Sequence, residues 1–250
     1  MTGQRGTLLL LLRMVAWIVA GLGGAIATAA MLGFGSVLLR RWTGFAIVAG
    51  PGRLLPVLFA ATVFQGVLLL GAFRQARHAA AGGLREALGV RPIRHGGRVA
   101  LLCTVMIIWL MAFVLLAAAL PALREFARSV SPDILSGLNN GDPITVSLQV
   151  SLVVVLAPVS EELFFRGWLW EALRRRGHSV ATTAGLTVLP WLLLHGIDSP
   201  GRILFLIPAA VVFSLARQQG HGVLASLAVH VTNNAAAIAM QAVAVWFGQR

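Results

Sequence analysis

The chain has no lysine and no tyrosine, a single cysteine, and only eight acidic residues in 250. Each shortage excludes something. One thiol, Cys103, cannot form an internal disulfide or a cysteine-based zinc cage; it sits in an apolar run, where an inert buried thiol is the default. Charged residues make up 11% of the sequence, against about 25% in an ordinary soluble domain. The chain therefore lacks the polar surface to meet water on every side. The net charge is +12 and all twenty basic residues are Arg. A basic balance can mark nucleic-acid binding, but here the Arg cluster in short loops between apolar runs, as cytoplasmic loops do. No nucleic acid is expected as a partner. The missing Lys, with abundant Ala and Gly, leans toward a GC-rich bacterial composition.

What is present is apolar. Hydrophobic residues account for 58% of the chain, and the mean hydropathy is +0.86. Helices cross bilayers because their backbone groups are satisfied internally, and each needs ~20 apolar residues. The expected fold class is all-α: a polytopic membrane bundle of about seven transmembrane helices, in a plasma membrane with lipid as its surroundings. The candidate helices are Met14–Leu39, Leu54–Phe73, Val99–Leu120, Ile144–Trp170, Ala181–Ile197, Ile203–Ala216 and Val223–Phe247. Ile203–Ala216 is short for a span, and the first helix offers a break at Gly21–Gly24. The N-terminal run resembles a signal peptide, but Arg13 interrupts it and apolar residues continue to Leu39, so it reads as an uncleaved first helix.

Loop charge sets orientation. Residues 74–98 carry six Arg against one Glu, residues 171–178 hold Arg174, Arg175 and Arg176 against Glu171, and residues 217–221 hold Arg217 and His221. These three are expected on the cytoplasmic side. Loops 121–143 and 198–202, with mixed charge, are expected outside. The stretch Arg40 to Arg53 disagrees, which leaves the first two helices unoriented. Two regions follow: residues 1–143, N-terminal helices and loops, and residues 144–250, where the chemically unusual residues lie.

Glu161 and Glu162 stand side by side inside an apolar helix. An acid at that depth costs at least ~2.5 kcal/mol on insertion scales, so something must compensate. Arg166, four residues after Glu162, shares its face. Glu161 points ~100° away and is left to face something else. Pro158 invites a kink upstream. Two later apolar helices carry His195, four residues after Trp191, and His230, four before Asn234; each pair shares a face. Counted from the cytoplasmic ends, Glu161 lies roughly 15 Å deep, His195 about 18–20 Å, and His230 and Asn234 about 10–16 Å. A shared depth is what one buried site requires. Trp168 and Trp170 read as interfacial aromatics.

Glu161-Glu162-x-x-x-Arg166, then a ring residue and His195 four apart, then His230-x-x-x-Asn234 together resemble the CPBP family of intramembrane proteases, also called the CAAX-prenyl-protease or ABI family. The separations, 33 residues from Glu162 to His195 and 35 from there to His230, fit as well. Trp191 stands where the family usually has Phe. The resemblance implies hydrolysis of a peptide bond in a membrane protein or peptide substrate. Glu161 would be the general base that activates a water, and His195 would help to hold it. His230 and Asn234 would stabilise the oxyanion, and Glu162 and Arg166 would brace the site. Amide hydrolysis needs just such a base and donors. A single divalent metal such as zinc stays open, with Glu161, His195 and His230 as its ligands, although no His-Glu-x-x-His occurs. No Gly-x-Ser-Gly motif is present, which argues against a serine type. The alternatives are a catalytically silent membrane scaffold or bacteriocin-immunity protein, and an ion or proton transporter. A transporter more often shows internal repeats, and none is seen.

Overall fold

The computed structural model describes residues 2–43, 55–79, 82–130, 143–196 and 199–248. Among them there is no strand. The helices are α1 (Thr2–Thr43), α2 (Leu55–Ala79), α3 (Leu84–Ala87), α4 (Gly96–Ala119) and α5 (Pro121–Val130). Then come α6 (Pro143–Arg175), α7 (Val180–Gly196), α8 (Pro200–Gln219) and α9 (Val223–Gly248). Six of these, α1, α2, α4, α6, α8 and α9, are long and apolar enough to cross a membrane, and α7 is a shorter apolar helix. The protein is all-α and multi-pass.

Several boundaries differ from the sequence reading. The short helix is α7, at 17 residues. The segment expected to be short, around Ile203–Ala216, extends to 20 residues in α8, about 30 Å of helix. Pro200 supplies the extra turn at its start: a proline loses nothing in the first helical turn, where its N–H would be unused. α1 runs unbroken through Gly21–Gly24. Residues 121–130, expected in a loop, form α5. Arg40 and Arg41 continue α1, and residues 44–54 lie outside the described residues.

The chain divides into two compact units, one of Met1–Gly71 with Ile134–Glu161, the other of Ala72–Asp133 with Glu162–Arg250. In the first, α1 and α2 meet through glycine. A Cβ on Gly21 would lie 2.8 Å from the Phe64 ring, and one on Gly71 would lie 2.8 Å from Trp17. Small residues at such crossings let helices approach where lipid gives no hydrophobic drive.

In the second unit α4 packs on α9, and α8 lies against both α7 and α9. α4 buries Val99, Met106, Leu110 and Ala117. It turns Leu101, Ile108 and Leu115 outward at about 60% exposure. These recur every seven residues and form one apolar stripe, a lipid-facing surface.

The segment after α3 closes the ends of α8 and α9. Val223 N–H donates to Gly89 O at 2.9 Å, and Arg94 N–H donates to Gly220 O at 3.2 Å. Glu171 bonds Arg91 at 3.1 Å. The three Arg-rich segments of this unit thus gather at one end.

Candidate active site

α6 is not a uniform helix. Leu152–Leu156 and Glu162–Leu169 are wound as π-helix, the wide i→i+5 form that recurs at functional sites. Pro158 lies between them and has no N–H to give. The second wide turn begins at Glu162 and carries it into a dense core. Phe164, Phe165, Arg166, Trp168 and Leu169 are all buried.

In the first unit, Glu161 is 4% exposed. Its Oε1 accepts a hydrogen bond from Gln65 Nε2 at 3.0 Å, and Gln65 Oε1 in turn meets the Ser160 hydroxyl. Gln65 is itself buried in α2.

In the second unit, Glu162 is the hub. Its Oε1 accepts from Arg166 at 3.1 Å and lies 3.0 Å from His230 Nδ1. All three side chains are buried. A carboxylate can only accept, so Nδ1 carries the hydrogen, and the Nε2 side of the ring is left for other work. The Arg166 guanidinium lies 5.0 Å from the centre of the Trp191 ring and 5.8 Å from that of Phe213. This placement spreads its charge over two π faces. Phe213 stacks on His230 at 4.4 Å between ring centres.

Trp191 joins the second motif to the third. Its ring is 4.3 Å from that of His195 and 6.0 Å from that of His230. His195 Nδ1 lies 2.9 Å from the Trp191 carbonyl. A carbonyl also only accepts, so Nδ1 again holds the hydrogen and Nε2 is an acceptor in the neutral ring. Asn234 is half-buried, and its Oδ1 accepts from Asn233 Nδ2 at 3.0 Å.

Trp168 and Trp170, expected at the interface, are inside the protein at 2% and 4% exposure. Trp168 packs on Phe164, with ring centres 5.1 Å apart, and Trp170 lies under Arg217 at 5.5 Å. Arg217, expected in a loop, is a buried residue of α8. It donates from Nε to Arg166 O at 2.8 Å and from its terminal nitrogen to Glu171 Oε1 at 2.5 Å. An apolar groove of about 490 Å³ lies between α7 and α8 and is lined by Trp170, Ala184 and Val211 among others. None of the candidate residues lines it. Among the described residues, no three His, Cys, Asp or Glu form a group able to hold a metal ion.

Residues 143–236 match the family model described as type II CAAX prenyl endopeptidase Rce1-like. This region is a domain of that family. Comparison with curated proteins and with solved structures returns no match. The Rce1-like match contains Glu161, Glu162, Arg166, His195, His230 and Asn234. Gln65 lies outside the Rce1-like region. So do the α3 segment and Arg91, which close over its helix ends. Gln65 left only a faint trace in the sequence, as one carboxamide in an apolar run.

Proposed function

We propose that the chain hydrolyses peptide bonds within the membrane, with Glu161 as the base that activates a water. The supporting observation is the buried hydrogen bond from His230 to Glu162. It ties the paired-glutamate motif to the histidine of the third motif inside a membrane-spanning core. That is more than a chance match of short patterns would produce.

The roles follow from which hydrogens are already committed. His195 uses Nδ1–H on its own helix. Its Nε2 is then an acceptor, suited to one O–H of the water, while Glu161 takes the other proton. Attack of the water oxygen on the carbonyl carbon creates an oxyanion. Asn234 offers an amide N–H to it. His230 offers Nε2–H in its cationic form, for which the Glu162 carboxylate is the counter-charge, as an acid does for an active-site imidazole elsewhere. The proton held by Glu161 then passes to the leaving nitrogen, and the glutamate ends as a carboxylate. Arg166 holds Glu162 in place.

The substrate is a membrane peptide, with no prenyl group required by this chemistry. Glu161→Gln, purified in detergent, should lose cleavage of a membrane peptide by the ~10²–10⁴-fold that a general base contributes. Its helix content and unfolding midpoint should match the wild-type protein. Cleavage at the wild-type rate would remove Glu161 from this role.

A further inference from the structure

Gln65 is 7% exposed in α2, in a part of the chain that the family match does not reach. A buried carboxamide is costly unless both its ends find partners. Here both do. Nε2 donates to Glu161 Oε1 at 3.0 Å, and Oε1 meets the Ser160 hydroxyl. The order of the two ends is fixed by chemistry. A carboxylate only accepts, so the nitrogen must face Glu161, and the oxygen must then take the Ser160 proton. The flipped amide would set Gln65 Oε1 against the Glu161 carboxylate, two acceptors in contact. Ser160 also lies 2.9 and 3.0 Å from the Leu156 and Ala157 carbonyls, which compete with Gln65 for its single proton.

We propose that Gln65 is a positioning residue for Glu161: with Ser160 as its rest, it fixes the plane in which the carboxylate meets water. This rests on the reading of Glu161 as the base. A carboxylate turns readily about its last torsion, and a base out of line loses proton-transfer efficiency even when it stays within reach. A buried donor on one oxygen holds that plane. The same amide also ties α2 to α6, which is the rival account: interhelical glue with no share in the chemistry.

Gln65→Leu separates the two. If Gln65 positions the base, kcat falls about 10–100-fold, the scale at which orienting partners act, while KM changes by less than about twofold. Glue alone would lower the unfolding midpoint and leave kcat of the folded fraction unchanged, and that result overturns the proposal. Ser160→Ala should lower kcat less, and adding it to Gln65→Leu should cost nothing further, because the hydroxyl acts only through the amide. Additive losses would count against the proposal.

A spectroscopic arm stands apart from turnover. With nitrogen-15 glutamine, the Gln65 side-chain signal is identified by its disappearance in Gln65→Leu. It should shift in Glu161→Gln and in Ser160→Ala. A signal that ignores Glu161→Gln overturns the hydrogen bond itself. If Glu161→Gln cleaves like wild type while the Gln65 signal still shifts, the base assignment has failed and the contact has not. Gln65 then holds Glu161 without positioning a base, and the proposal falls with that assignment.

Discussion

The Nε–H of Arg217 donates to the backbone carbonyl of Arg166 at 2.8 Å, so a residue of α8 fastens the main chain of the paired-glutamate motif. The wide π turn there displaces carbonyls from the ordinary i→i−4 ladder, and Arg217 supplies a donor to one of them. Its terminal nitrogen meets Glu171, which also bonds Arg91. One guanidinium therefore serves both the motif and the charged cluster at the helix ends.

Arg217→Met should cost about 1–3 kcal/mol, the range for charge-assisted bonds lost from a buried site. Glu171 keeps Arg91 as a partner, which spares it the larger penalty of an abandoned charge. Arg217→Lys should recover only part of the loss, since an ammonium lacks the fork that reaches both acceptors. Unfolding midpoints in detergent decide this. Equal stability of Arg217→Met and wild type would contradict it.

The adjacent glutamates should differ sharply. Glu162 holds Arg166 and His230 with all three side chains buried. Glu162→Gln would leave Arg166 without its carboxylate, and removal of one partner from a buried pair costs about 3–5 kcal/mol. Glu161→Gln keeps a group able to bond Gln65 and should unfold near the wild-type midpoint. The comparison measures the difference between a bracing acid and a working one. Similar stability losses in the two variants would erase the distinction.

The helices of the second unit could be read from the sequence because lipid demands long apolar runs, and α4 carries little else. The Glu162–Arg166 pair was legible for a related reason: two opposite charges four residues apart in an apolar helix must meet. Trp168 and Trp170 were misread because an aromatic near a span end suits the interface and a crowded interior equally, and only packing against Phe164 and Arg217 separates the two. Arg217 was hidden by the rule that places Arg in cytoplasmic loops. Its partner Glu171 is 46 residues away, and no local pattern announces so distant a pair. Gln65 was hidden in the same way, 96 residues from Glu161.

Gly89 offers a test of the segment that closes the helix ends. Its φ is +61°, in the left-handed region, and a Cβ there would lie 2.6 Å from the Arg217 guanidinium and 2.8 Å from the Glu171 carboxylate. Gly89→Ala combines an unfavourable backbone angle, about 1 kcal/mol by itself, with a clash against an ion pair. The unfolding midpoint should drop by more than it does for Gly185→Ala in α7, where nothing lies within 4 Å of the new methyl. A Gly89→Ala protein as stable as Gly185→Ala would mean the segment shifts freely and does not hold the pair.

Asn234 is the donor whose role is most open to kinetic measurement. Its Oδ1 accepts from Asn233, which turns its own NH₂ to the other side, so the neighbour sets which end of the amide is presented. Asn234→Asp keeps the shape and removes that N–H. It should lower kcat by ~10²–10³, the cost of one oxyanion donor, with KM nearly unchanged because the bond strengthens only as charge builds on the oxygen. Asn233→Ala leaves the donor in place and frees it to turn, so its loss should be smaller and should vanish in the Asn234→Asp background. Equal and additive losses from the two variants would show that both amides act on structure, and Asn234 would leave the list of oxyanion donors.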